Sequence, residues 1–166
     1  MTTLSAVRRT RSAAHKYLTI LLGREQYAMP ILRVQEIIGM QEVTPVPRMP
    51  PEVRGVINLR GRVIPVIEMR RRFAMESVPD TKRTCIVVLT AAPAPGGESA
   101  PIVVGMIVDQ VSEVLDLPAD QIEPPPPLGA SVHIACISGV AKLAKGVVML
   151  LDVDLVLAIA SHTPAH

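Results

Sequence analysis

The chain has 166 residues, is 49% hydrophobic and carries a net charge of +2; that apolar content and a charged fraction of only 19% exclude intrinsic disorder. Sixteen prolines argue against a bundle of long helices, and only three aromatics (Tyr17, Tyr27, Phe73) argue against a base-stacking nucleic-acid binder. Val and Ile together number 36, so the core is built from β-branched side chains that favour pleated, half-buried surfaces.

Residues 1–15 are polar, basic and aperiodic, and read as a flexible arm. Residues 17–22 and 27–31 read as two strands of a hairpin around a turn at 23–26. Residues 32–38 (LRVQEII) read as a short helix or irregular turn ending near Gly39. The proline-rich stretch 43–50 reads as an extended or edge segment, and residues 51–54 as one helical turn. The clearest hairpin joins 56–59 to 63–68 across Arg60, Gly61 and Arg62, with Pro65 placing part of its second strand at an edge or bulge. Residues 69–73 (MRRRF) read as a short helix with a basic face.

After a polar connection at 77–82, residues 84–90 form an apolar run of strand length, buried on both faces. A loop at 91–100 leads to a partner strand at 102–108. Residues 109–117 fit a bulged strand or a short helix, and the four prolines 124–127 a polyproline II connector. A last hairpin pairs 134–141 with 147–152 around residues 142–146, and 152–160 reads as a C-terminal helix with Asp152 or Asp154 at its start. The segment Gly55-Val56-Ile57 finds a faint echo in Gly139-Val140-Ala141, half a chain later. The organisation expected is an arm at 1–15, one domain at 16–160 made of two β subdomains with a boundary near 80–90 and ends that cross over, and a tail at 161–166.

Groups able to carry catalysis are scarce. The four histidines lack ligand spacing, and no Cys-x-x-Cys pair exists, so no metal or other cofactor is expected. Gly96-Gly97 lacks the Lys-Ser/Thr of a phosphate loop, and no Gly-x-Ser-x-Gly elbow occurs. Cys85 and Cys136 read as buried, reduced thiols, consistent with a cytoplasmic protein. Neither a secretory signal nor a membrane span is expected. Arg54, Arg60, Arg62, Arg70, Arg71 and Arg72 cluster around one hairpin; Arg70–Arg72 read as a solvated face, with Glu36 and Glu42 as partners near in sequence.

The segment Gly55-Val56-Ile57-Asn58-Leu59-Arg60-Gly61, followed by residues 63–70 (VIPVIEMR), resembles the signature of the CheW family of bacterial chemotaxis coupling proteins. Residues 22–28 (LGREQYA), 31–37 (ILRVQEI), 105–115 (GMIVDQVSEVL) and 121–124 (QIEP) resemble further family blocks in the same order, and 152–157 the closing one. The resemblance spans residues 17–158. It implies a mainly β fold of two intertwined five-stranded SH3-like barrels with short helices, a C-terminal helix and a shared core. It also implies a non-enzymatic adaptor that ties the cytoplasmic tips of chemoreceptors to the regulatory domain of the chemotaxis histidine kinase. The adaptor would be cytoplasmic and recruited to membrane-associated receptor arrays, with no nucleic-acid partner and no membrane insertion.

Carried over by position, Ile31, Val34, Glu36, Gly55, Asn58, Arg60 and Gly61 line or support the receptor groove, with Glu36 and Arg60 forming an ion pair at its rim. The kinase contact is assigned to Ile102, Val104 and Met106 on an exposed hairpin strand. Two other readings compete: a detached kinase regulatory domain of the same fold, and a small-molecule-binding barrel with a pocket around His133 and Cys136.

Overall fold

A computed structural model of the protein describes residues 15–91, 102–125, 135–144 and 146–161. The chain is mainly β, in two sheets. The alternating hairpin segments form β1 (Lys16–Leu22) and β2 (Glu25–Pro30), then a single 3-10 turn (Ile31–Arg33) leads into β3 (Val34–Gly39). The signature hairpin is β4 (Val53–Leu59) and β5 (Arg62–Glu68), followed by the one-turn helix α1 (Met69–Arg72). The long apolar runs become β6 (Cys85–Ala91) and β7 (Ile102–Val108). The chain ends in β8 (Gln110–Asp116), the two-residue β9 (Ile122–Glu123), β10 (Ile137–Leu143), β11 (Gly146–Leu151) and helix α2 (Val153–Ser161).

The two ends of the chain share one sheet, ordered β8-β1-β2-β11-β10-β9, which we call the terminal sheet. The central sheet is ordered β3-β6-β7-β5-β4. The chain passes from one sheet to the other at residues 31–33 and at Asp109. The subdomain boundary expected near 80–90 instead leads into β6, in the middle of the central sheet. The terminal sheet has six strands where five were expected, the sixth being β9.

Both sheets share one plan. Each carries a single parallel pair, β2 with β11 and β5 with β7. In both antiparallel hairpins β4–β5 and β10–β11 a bulge falls at the same step, between Val53 and Gly55 and between Ile137 and Gly139. Residues 53–67 thus match residues 137–151 position for position. The sequence echo at Gly55 and Gly139 has a steric cause in this plan. A Cβ on Gly55 would lie 2.2 Å from the Thr44 carbonyl oxygen, where Thr44 bridges Val56. A Cβ on Gly139 would lie 2.7 Å from Ile122 Cγ2 and 3.2 Å from the Glu123 oxygen, where β9 pairs with β10. Each glycine lets a crossing segment lie against the edge of its hairpin.

Period-two alternation with apolar residues in both phases makes β6 and β7 bury both faces. Val87, Leu89, Val104, Met106 and Val108 join Leu18, Ile20, Leu22, Tyr27 and Met29 of the terminal sheet in a core common to both sheets. Ile86, Val88, Val103 and Ile107 join Ile57, Ile64 and Val66 in a second cluster of the central sheet. Ala28, Leu117, Ala141, Val148 and Leu150 form a third in the terminal sheet. Two of the three aromatics stand in the shared core, Tyr27 and Phe73, with ring centroids 5.4 Å apart. The buried Tyr27 hydroxyl donates to Glu25, and burial followed by that contact pushes its pKa far above the usual phenol range.

Several expectations need correcting. Residues 34–39 form an edge strand rather than a helix, and Val53 already lies in β4, which leaves only a turn at residues 51–52. Pro65 sits in an inner strand, and the β5–β7 ladder begins one residue later at Val66, so its missing N–H interrupts no bond of that pair. Residues 109–117 resolve as strand β8 with a bulge in its pairing to β1. The C-terminal helix begins as expected, with the Leu155 N–H donating to Asp152 Oδ1 at 3.2 Å. Pro124 and Pro125 lie outside regular structure. The expected arm at 1–14, the loop at 92–100, Pro126–127 and the tail beyond 161 fall outside the described residues.

The arginines of α1 are not a solvated face. Arg70 grips Asp109 with two hydrogen bonds, Nε to Oδ1 at 2.8 Å and Nη2 to Oδ2 at 2.5 Å. The same carboxylate accepts the Gly23 N–H at 2.8 Å, so the central sheet's helix, the crossover residue and the β1–β2 turn meet at one point. Arg71 reaches Glu68 at 3.4 Å, and Arg72 donates to the Leu155 and Val156 carbonyls of α2.

Two outcomes follow. Gly55→Ala should destabilise the fold by about 1–3 kcal/mol in urea denaturation, because its new methyl meets backbone. Gly139→Ala should cost less, because its closest contacts, Ile122 Cγ2 at 2.7 Å and the Glu123 oxygen at 3.2 Å, are looser than the 2.2 Å backbone clash at Gly55. The Arg70 hydrogen bonds, ahead of the opposing effect of burial and with help from the Gly23 N–H, hold the Asp109 carboxyl below the usual aspartate range. A depressed carboxyl pKa stabilises the fold fully above the unfolded value near 4 and is lost as pH falls through the lower folded value. Asp109→Asn should therefore cost roughly 1–2 kcal/mol at pH 7. The gap to wild type should close towards pH 2, measured as urea midpoints across that range.

Candidate functional site

The signature hairpin turns in two residues, since Leu59 pairs directly with Arg62. Both turn residues have positive φ, 54° at Arg60 and 87° at Gly61, as the two-residue hairpin turns that match strand twist require. Glycine adopts this freely, whereas Arg60 does so at a cost. Asn58 offsets part of that cost by accepting the Gly61 N–H on Oδ1 at 2.8 Å. The motif Asn-Leu-Arg-Gly is therefore a turn that aims one arginine.

Arg60 aims at Glu36. Its Nη1 donates to Oε2 at 2.8 Å and its Nη2 to Oε1 at 3.0 Å, a two-pronged pair. Glu36 lies on β3 and Arg60 at the β4–β5 tip, the opposite ends of the central sheet's strand order. The pair thus clasps the two ends of that sheet. A bulge between Val34 and Glu36 in the β3–β6 pairing lets Val34 pack on the shared core while Ile38 packs on the second cluster.

A cleft of about 120 Å³ lies beside the clasp, lined by Gln35, Leu59, Arg60, Arg62, Ile64 and Val103. Ile37 and Val63 flank it in sequence and are exposed, Val63 to 68%. Arg62 is exposed and makes no ion pair among the described residues. The surface offers a short cleft with mixed polar and aliphatic walls, two bare aliphatics near it in sequence and one unpaired cation beside an ion pair.

Of the expected groove residues, Arg60 lines this cleft, Glu36 holds Arg60 through the ion pair, and Asn58 and Gly61 shape the turn that carries it. Ile31 and Val34 are half-buried and pack against the shared core from below β3. Gly55 is buried under Thr44 and supports the hairpin. The kinase contact assigned to β7 does not hold: Val104 and Met106 are fully buried in the shared core, and Ile102 is half-buried against it. An unbroken apolar strand between two neighbours has no face left to offer. The sequence reading missed Gln35, Ile37, Arg62 and Val63; the alternation of exposure along β3 would have exposed Ile37 once a strand replaced the expected helix.

A wider groove of about 370 Å³ runs between the 3-10 turn and the start of α2, lined by Pro30, Leu32, Arg33, Ser138, Leu151, Asp152, Val153 and Asp154. Arg33 pairs with Asp154 across it. The Cys136 thiol is buried, 3.4 Å from Arg72 Nη2, and burial raises its pKa. His133 lies outside the described residues. Among the described residues no cluster of three or more His, Cys, Asp or Glu side chains has metal-binding geometry, and no helix is long and apolar enough to cross a membrane.

The family model described as a CheW-like domain matches residues 16–161. The chain belongs to the CheW family. A chemotaxis protein CheW of Klebsiella aerogenes is 34% identical over 143 residues, covering 86% of this chain and 81% of that protein. One of Rhizobium meliloti is 28% identical over 150 residues, covering 90% of this chain and 92% of that protein. The crystal structure of the scaffolding protein TtCheW of Thermoanaerobacter tengcongensis superposes with a TM-score of 0.77 at 27% identity, covering 91% of this chain and 92% of that one. For a CheW-like chain, the clasp between Glu36 and Arg60 joins the two motifs that carry the family resemblance most clearly.

The Arg60 side chain is 75% exposed and that of Glu36 only 19%, so solvent screens the pair. A double-mutant cycle with Arg60→Ala and Glu36→Ala, read by urea denaturation, should give a coupling of at most about 1 kcal/mol. A larger coupling would make the clasp a pillar of the fold rather than a shaper of the cleft.

Proposed function

We infer that this chain is a non-enzymatic chemotaxis scaffold, cytoplasmic and recruited to receptor arrays, that couples chemoreceptor tips to the chemotaxis histidine kinase. Its family membership supports the scaffold role, as do relatives named for chemotaxis and a structural neighbour titled a scaffolding protein. The observation that carries the receptor contact is the clasped cleft at the β4–β5 tip. It pairs an aliphatic surface with a fixed ion pair and an unpaired arginine. A receptor tip is a helical hairpin, and a helix docks by laying aliphatic side chains into such a cleft while polar groups at the rim set its register.

In this reading Glu36, Arg60, Asn58 and Gly61 shape the receptor face. Ile31, Val34 and Gly55 hold the strands that carry it. Arg60 costs little stability to replace and much recognition, because its exposed head lies at the cleft while its pairing contributes little to the core.

Arg60→Glu should reduce co-purification with receptor cytoplasmic tips and with the kinase at least tenfold, while the melting temperature stays within a few degrees of wild type. Undiminished capture by a folded Arg60→Glu variant would overturn this placement of the receptor face.

A further inference from the structure

Residues 75–84 carry the chain from α1 to β6 and lie outside its strands and helices, with one turn at 82–83. Side chains, rather than a ladder, hold this segment down. At its middle, Asp80 accepts two hydrogen bonds from Arg54 of β4, from Nη1 at 3.3 Å and from Nη2 at 3.0 Å. Arg54 is steadied in turn by the nearly buried Glu68, 3.3 Å away at the end of β5. At the start of the segment, the Glu76 carbonyl accepts Arg70 Nη1 at 2.8 Å, and Met75 packs against the shared core. The segment is a strap across the central sheet, tied by two arginines.

Arg70 belongs to two systems at once. Its Nη1 holds the strap, while its Nε and Nη2 hold Asp109, whose carboxylate accepts the Gly23 N–H of the terminal sheet. Val78, Pro79 and Asp80 of the strap wall a cavity of about 20 Å³ together with Arg70 and Asp109, so the strap roofs that ion pair. Beneath it the Arg70 side chain is 14% exposed and that of Asp109 26%. The strap acts on the pair in two ways. It keeps water from screening the charges, which strengthens their attraction. It also fixes the plane of the guanidinium, because the N–H donors form a rigid fork: seating Nη1 on Glu76 aims Nε and Nη2 at Asp109.

We propose that residues 75–84 are a latch on the joint between the two sheets. With Asp80 engaged by Arg54, the strap locks Arg70 onto Asp109 and so pins the β1–β2 turn to the central sheet; when the strap lifts, the turn is released. A segment held by side chains opens at lower cost than a strand in a ladder, so the latch opens without unfolding the sheets. The joint thus has two settings, and anything that competes for Asp80 or Arg54, dissolved salt first of all, shifts the balance towards the open one. The latch is independent of the receptor reading.

The test is amide hydrogen exchange of the full chain, followed by NMR, with Asp80→Ala as the variant that lifts the strap. Two amides report the two ends of the device: Thr81, whose N–H donates to Thr84 Oγ1 at 2.8 Å within the strap, and Gly23, whose N–H donates to Asp109. Both should exchange about fivefold faster or more in the variant, while the amides of β6, which report opening of the whole core, change by less than about twofold. Lys142→Ala, which removes the surface pair with Glu123, should leave Gly23 at its wild-type rate. Because coupling between two sites is reciprocal, Asp109→Asn should hasten exchange at Thr81 in turn. An unchanged Thr81 in Asp80→Ala would show that the pair with Arg54 is no latch. A fast Thr81 beside an unchanged Gly23 would show a strap that lifts without touching the joint. Gly23 and β6 accelerating together would show a general loss of stability. Each of these results overturns the proposal.

Discussion

The hairpin β1–β2 lies between two strands made far later in the chain, and the rest of the structure hangs on that placement. β1 pairs with β8, and β2 pairs in parallel with β11. Without these partners the hairpin has no strand on either edge to hold it, and its inner face, Leu18, Ile20, Leu22, Tyr27 and Met29, is not kept against the central sheet with which it forms the shared core. Local pairing alone does not stabilise a two-stranded ribbon in water. The chain must therefore close a loop of many residues before its first element is secure, which ranks it with slow-folding, non-local topologies.

Polar contacts then decide how the apolar halves are oriented. Asp109 stands where the chain changes sheets, and it joins Arg70 of α1 to the backbone of the first turn. Arg72 ties α1 to α2 through two carbonyls. Neither contact supplies bulk stability on the scale of the cores. Both fix angles between elements that greasy, β-branched surfaces leave loosely specified. The clasp of Glu36 and Arg60 does the same within one sheet, and so shapes the cleft beside it.

Much of this was legible in the sequence because hairpins are local. Gly61 beside Arg60, the glycine echo, and Asp152 ahead of an apolar run each name their own turn or cap. The pair of Glu36 with Arg60 was also legible, from opposite charges in two motifs. Residues 34–39 were misread because the bulge at Gln35 breaks the two-residue alternation that marks a strand. The arginines of α1 were misread because their partners, Asp109 and the carbonyls of α2, lie dozens of residues away. Val104 and Met106 were misplaced for a related reason: a wholly apolar strand reads alike whether it lines a core or an interface, and only the sheet order decides. The division of the chain between two sheets carries no local signal at all.

The repeated plan has a consequence for how the molecule holds together. Read as a circle, with the end of α2 running on to β1, the chain is two modules in tandem. One runs β3, β4, β5, α1, β6, β7; the other runs β8, β9, β10, β11, α2, β1, β2. The linear chain cuts the second module before its last hairpin and carries that hairpin to the front. The severed piece must thread back into a module that the intervening one separates from it. Neither module can loosen alone, since opening either strips the shared core from the other. The cut ties two small units into one body through the core that they share.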